Sequence, residues 1–164
     1  MRPGSFALTL MLFGALTISG CFFVSKSEVK KRVRSALPNV EITSDVFEVT
    51  SECFLTSFNV HQELSAKQVL ESSALASFDG LGKRWMESHS FAHSLDSPDS
   101  ELPDGVAVGI NRAIIAAKPC LDKANLTLHD IEYNPVIFTF SPYGEDVIFF
   151  LKHDMTKFYY LVSI

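Results

Sequence analysis

The stretch VIFTFSPYGEDVIFFLKHDMTKFYYLVSI, residues 136–164, decides the fold. Val136, Phe138 and Phe140 alternate with their neighbours and so share one face of a strand, while Phe158, Tyr160 and Val162 share another. Asn134-Pro135, Ser141-Pro142-Tyr143-Gly144 and His153-Asp154-Met155-Thr156 are turn-forming sequences that separate the apolar runs. The pattern predicts strands over Val136–Phe140, Asp146–Lys152 and Phe158–Ile164, with Leu126–Ile131 as a further strand before them. Connections this short favour antiparallel pairing, hence a C-terminal β-meander. Adjacent aromatics such as Phe149-Phe150 and Tyr159-Tyr160 must point to opposite faces. The sheet is then either covered on both sides or keeps one face for a partner, with Tyr159 as an exposed member. The last strand is either central or an edge that offers a template to a partner strand.

Upstream of the meander the period changes. Val106, Ile110, Ala113, Ile114 and Ala117 recur at helical spacing, predicting a buried helix over Val106–Ala117 with Pro119 kinking it or opening a new turn. Asp96–Gly105 reads as a polar loop, and Lys83–His93 as a short helix with Trp85 anchored in the core. Ser65–Phe78 reads as a capped helix ending near Gly80 and Gly82. Strands are expected over Val40–Val49 and Cys53–Val60. A first helix is expected over Ser25–Leu37, capped by Ser27 and stopped by Pro38, with Val29, Val33 and Leu37 on one face. The class is α+β, with helices packed on one face of an antiparallel sheet.

The N-terminus has a different character. Arg2 is the only charge before Lys26, and Phe6–Ile18 is a 13-residue apolar run broken only by Thr9, Gly14 and Thr17. That length suits the core of a signal peptide and falls short of the roughly 17–25 residues that span a bilayer. Leu16-Thr17-Ile18-Ser19-Gly20-Cys21 resembles the lipobox of bacterial lipoproteins: an aliphatic residue, two small ones, then cysteine. The resemblance covers about the first 23 residues and no family pattern extends into the rest. It implies cleavage before Cys21, acylation of that thiol, and a domain division into a 1–20 leader, a 21–26 tether and a 27–164 globular unit. Phe22 in place of aspartate after the cysteine implies, by the sorting rule of that class, an outer-membrane address facing the periplasm. Phe22 and Phe23 can dip into the lipid interface beside the anchor.

Without residues 1–20 the chain keeps 144 residues, enough for one domain with a proper core. It then carries 13 Lys and Arg against 19 Asp and Glu, a net charge of −6. That balance argues against nucleic acid as a partner, since little basic surface is left to neutralise phosphates. With Cys21 committed to lipid, Cys53 and Cys120 form an even pair in an oxidising compartment and are expected to be bridged. Their spacing suits neither a zinc site nor a redox motif.

Four features are candidates for function. The basic cluster Lys30, Lys31, Arg32 and Arg34 begins nine positions after Cys21, near enough for its side chains to meet anionic head groups. His89 and His93 stand four apart, with Asp96, Asp99, Glu101 and Asp104 following. On a helix two such imidazoles can chelate a metal, but the glutamate of the zinc-protease motif is replaced by Ser90. No Gly-x-Ser-x-Gly elbow or paired β-lactamase motif marks a hydrolase. The adjacent aromatics of the C-terminal strands are the fourth feature. The reading that follows is a membrane-anchored, non-catalytic binding or structural lipoprotein of the envelope. Its partners would be the bilayer and another envelope protein, with inhibition of a toxin or wall-cutting enzyme as one form. No cofactor is expected. The alternative is a metal-binding protein or hydrolase using His89, His93 and the nearby acids.

Overall fold

The computed structural model describes residues 25–50, 53–72, 85–96, 102 and 104–163. Helix α1 (Lys26–Ala36) leads into strands β1 (Ile42–Val49) and β2 (Phe54–Val60), then α2 (Ala66–Leu70), β3 (Met86–Ser88) and α3 (Phe91–Asp96). Helix α4 (Asp104–Ala117), a 3-10 helix (Lys118–Ala124) and α5 (Leu128–Tyr133) precede strands β4 (Val136–Phe140), β5 (Asp146–Leu151) and β6 (Asp154–Val162). The six strands form one antiparallel sheet in the order β1-β2-β6-β5-β4-β3. The α+β class and the C-terminal meander are thus as the alternation predicts.

Alternation along each central strand feeds two separate cores. Leu55, Phe138, Phe140, Val147, Phe149, Tyr159 and Leu161 face one side, where α3, α4 and the 3-10 helix pack through Phe91, Ile110, Ala113, Ile114 and Cys120. Phe54, Phe58, Ile137, Ile148, Phe150, Phe158 and Tyr160 face the other, covered by Val29, Val33 and Ala36 of α1, Val69 of α2, and Trp85. Burying each such aliphatic or aromatic side chain contributes about 1.5–3 kcal/mol, so both layers are needed to hold the sheet. The helices are therefore shared between the two faces, which corrects the expectation that they pack on one. The doubled aromatics explain the difference: Phe149 stacks on Tyr159 at 5.1 Å, while Phe150 meets Phe158 at 5.4 Å on the reverse side. Both faces needed a cover. Tyr159 is consequently 4% exposed and not a surface residue, and β6 lies between β2 and β5, leaving β1 and β3 as the edges.

Several local expectations are corrected. Leu126–Ile131 is not a strand: Thr127 and Asp130 form a reciprocal capping box that starts α5 at Leu128. Asn125 at φ 55° ends the preceding 3-10 helix in the left-handed region. The Lys83–His93 helix is replaced by β3, which pairs Met86 with Phe138, followed by α3. Ser90 accepts from the backbone N–H of His93 at 3.0 Å and so begins α3 after the strand. Ser25, not Ser27, caps α1 by accepting from the N–H of Glu28. Of the expected Ser65–Phe78 helix, residues 73–78 lie outside the described residues, as do 83–84.

The buried strands hold one polar oddity. Thr56 is fully buried on the α1 side of β2, and its hydroxyl has no hydrogen-bond partner among the described residues. A buried hydroxyl without a partner costs on the order of 1–3 kcal/mol, and valine has almost the same shape. Thr56→Val is therefore expected to raise stability by about 1 kcal/mol, read as a higher denaturant midpoint at unchanged m-value. A lower midpoint would show that the hydroxyl is paired.

Candidate functional site

The basic residues of α1 separate into two groups. Arg32 turns along the sheet surface, where its Nη1 donates to both carboxylate oxygens of Asp146 at 2.9 and 3.0 Å and to the Tyr160 hydroxyl at 3.4 Å. The Tyr160 hydroxyl in turn donates to Asp146 Oδ1 at 2.5 Å, and the Asp146 N–H donates to Ser141 Oγ at 3.0 Å. Burial, and then the neighbouring carboxylate, push the Tyr160 phenol well above its ordinary range. This group ties α1 to the start of β5. Lys31 and Arg34 are exposed on the outer side of α1, and Lys30 is half-buried on its flank. Cys21, Phe22 and Phe23 lie outside the described residues.

Asp146→Ala would leave the fully buried Tyr160 hydroxyl without its acceptor, while Arg32, whose side chain is 40% exposed, can turn to water. The expected loss is about 2–3 kcal/mol, most of it from the stranded hydroxyl. Tyr160→Phe removes that hydroxyl and keeps the ion pair, so it should cost less, about 1 kcal/mol. Equal losses in chemical denaturation would contradict this account of the cluster.

Burial also pushes the Tyr159 phenol up to about 12. A folded-state pKa raised above the ordinary phenol value of 10.0 contributes stability that is complete below pH 10. That stability is lost as pH rises from there through about 12. Fluorescence and absorbance titrations should accordingly show no phenolate at Tyr159 or Tyr160 near pH 10 while the chain is folded. Their ionisation near pH 10 in a chain that keeps its native circular dichroism would contradict the assignment.

On the opposite layer α3, α4 and α5 enclose a groove of about 300 Å³. Phe91 and Ile114 form its floor; Leu95, Val108 and Tyr133 form its apolar walls, and Asn111 and Glu132 supply polar groups. Val108 is 51% exposed and Tyr133 61%, and Ile115, two turns further along the same side of α4, is 51% exposed. The helical pattern that buries Val106, Ile110, Ala113 and Ile114 leaves Val108 and Ile115 on the outside, so this much is legible in the sequence. Tyr133 is not, because it falls between the expected Leu126–Ile131 strand and the Asn134-Pro135 turn, where no helical face is expected.

Cys53 and Cys120 come together as the sequence predicts. Their sulfurs are at bonding distance and their Cα atoms 6.2 Å apart, joining the start of β2 to the 3-10 helix. Both are buried. The rings of His89 and His93 approach edge to face with centroids 6.1 Å apart, both exposed. Among the described residues no group of three or more His, Cys, Asp or Glu could hold a metal ion; Asp99 and Glu101 lie outside them. Thr43 and His61 share a hydrogen bond of 2.7 Å at the exposed sheet edge. Among the described residues no carboxylate is hydrogen-bonded to that imidazole. No helix among the described residues is long and apolar enough to cross a membrane. Compared with known proteins, the chain matches no family model, no curated sequence and no solved structure.

Proposed function

We propose that the protein is a membrane-anchored lipoprotein of the bacterial envelope, held through acylated Cys21, whose domain binds another envelope protein without catalysis. The observation that carries the binding reading is the α3–α4–α5 groove, where Val108 and Tyr133 are left in water beside Glu132. Exposed apolar side chains around a concave, partly polar surface are the usual mark of a recognition site. The anchor reading is supported by Leu16–Cys21 and by the Cys53–Cys120 pair, which suits an oxidising compartment.

Charge points to the kind of partner. Outside residues 25–37 the chain from Cys21 onward has 8 basic and 18 acidic residues, a net charge of −10. Such a domain favours a basic protein whose own apolar side chain fills the groove, and repels acidic ones. A toxin or wall-cutting enzyme with a basic surface fits that description, and binding it would block it.

A photo-crosslinking residue placed at Val108 tests the reading in the native membrane. One discrete crosslinked partner is expected, lost when Tyr133→Ala and Glu132→Lys are added to a chain that still folds. Unchanged crosslinking in that variant, or none at Val108 while other surface positions capture partners, would overturn it.

A further inference from the structure

The outer arc of α1 carries charge that the fold does not use. Residues 25–37 contain five basic side chains and one acidic, a local charge of +4 on a chain that is otherwise strongly negative. Val29, Val33 and Ala36 are buried against the sheet. At about 100° per residue, Lys31 then lies close to the pole facing away from it, with Arg34 on the same outward arc and the half-buried Lys30 on the flank beside Arg34.

Several other cations of the fold have partners. Arg32 pairs with Asp146 and Glu28, Lys67 with Glu71, Lys123 with Glu48, Lys152 with Glu87, and Lys157 with Asp45. Lys26 lies 5.7 Å from the Phe47 ring. Lys30, Lys31 and Arg34 make no ion pair among the described residues. They are grouped on one surface, and that surface begins close to the expected anchor. Four residues lead from Cys21 to Ser25, about 14 Å when fully extended.

The geometry points to the Lys30-Lys31-Arg34 arc of α1 as a contact for anionic lipid head groups that sets the orientation of the whole domain. The inference deepens the lipoprotein reading and rests on it. Lipid is favoured over a protein partner because the three cations run along one side of α1 from its flank to its outer pole, next to a chain that would be tethered in the bilayer. The Arg32–Asp146–Tyr160 cluster fastens α1 to β5 and β6, so a contact made by α1 is made by the sheet as well. The α3–α4–α5 layer packs on the other face of that sheet. With α1 against the head groups, the groove beside Val108 and Tyr133 points away from the membrane, open to a partner from the aqueous side. The −10 remainder is repelled by the same anionic surface, which reinforces the orientation.

The test is lysine acetylation of the full processed protein on vesicles. One set contains phosphatidylglycerol and the other only phosphatidylcholine, and each modified lysine is read by mass. Each cation near an anionic surface changes partitioning about five-fold, so three bias the domain on the order of 100-fold toward contact. Acetylation of Lys30 and Lys31 should slow at least several-fold on the anionic vesicles and recover at high salt. Lys118, exposed on the opposite layer, should react equally on both. Arg34→Gln, at an exposed position, should weaken the protection of Lys30 and Lys31 without unfolding the chain. Equal acetylation on the two vesicle types would overturn the inference. The intact mass reports acylation at Cys21 separately. If that is absent, the same comparison in vesicle excess still decides the contact, so failure of the anchor and failure of the α1 surface are told apart.

Discussion

Replacing Cys53 and Cys120 together by alanine is expected to lower the stability of the domain by about 4 kcal/mol, the chain-entropy value for a loop of this length. The two cysteines are 67 positions apart, so the bridge restrains nearly half of the domain in the unfolded chain. For a domain of this size the loss corresponds to a fall of about 10–15 °C in Tm. In the native state the bridge ties β2 to the 3-10 helix that follows α4, across the edge of the larger core. Adding a thiol reductant to the unaltered protein should reproduce the shift, and adding it to the double variant should change nothing. A reductant-insensitive Tm in the unaltered protein would show that the pair is not bridged.

Gly109→Ala is the second large effect, and its sign opposes ordinary helix propensity. In an exposed helix interior alanine is better than glycine by about 1 kcal/mol. At Gly109, however, a Cβ would collide with the carbonyl oxygen of Tyr143, which belongs to the β4–β5 turn. That turn is held by the Gly144 N–H donating to Ser141 O at 2.8 Å, with Gly144 at φ 69°, a conformation that favours glycine. A Cβ at Gly144 would strike the Val106 carbonyl in the same interface. Helix and turn therefore meet backbone to backbone, and neither can withdraw without opening the core beneath. The expected cost is about 3 kcal/mol or more. Gly105, in the same helix with nothing near its missing Cβ, gives the contrast: Gly105→Ala should be neutral or slightly stabilising. Similar melting temperatures for the two variants would contradict the close approach.

The sequence reveals the elements whose periodicity is set by burial and conceals those set by local capping or by pairing at long range. Val136–Phe140 and Asp146–Leu151 are legible because every other side chain enters one of two cores. Val29 and Val33 mark the inner face of α1 for the same reason. Leu126–Ile131 misleads because its leucines and isoleucine suit a strand, whereas the Thr127–Asp130 box determines that a helix starts there. Met86–Ser88 is too short to show a period, and pairing with β4 alone makes it a strand. The Cys53–Cys120 pairing is legible from parity once Cys21 is set aside as the expected lipid-bearing thiol. The split of the basic cluster is not: nothing near Arg32 in the chain announces Asp146, which is 114 positions away. The groove is half legible, since Val108 and Ile115 fall off the buried phase of α4 while Tyr133 lies just past the Leu126–Ile131 segment that resembles a strand, with no helix expected there.

The central claim is that this domain is fixed to a membrane through lipid on Cys21, and the mass of the N-terminal peptide tests it most directly. Protein extracted with detergent from the membranes of a bacterial host should begin at Cys21, with the thiol carrying a diacylglyceryl group. A chain that retains residues 1–20 with a free thiol, or a mature chain cleaved elsewhere with Cys21 unmodified or missing, would contradict the account.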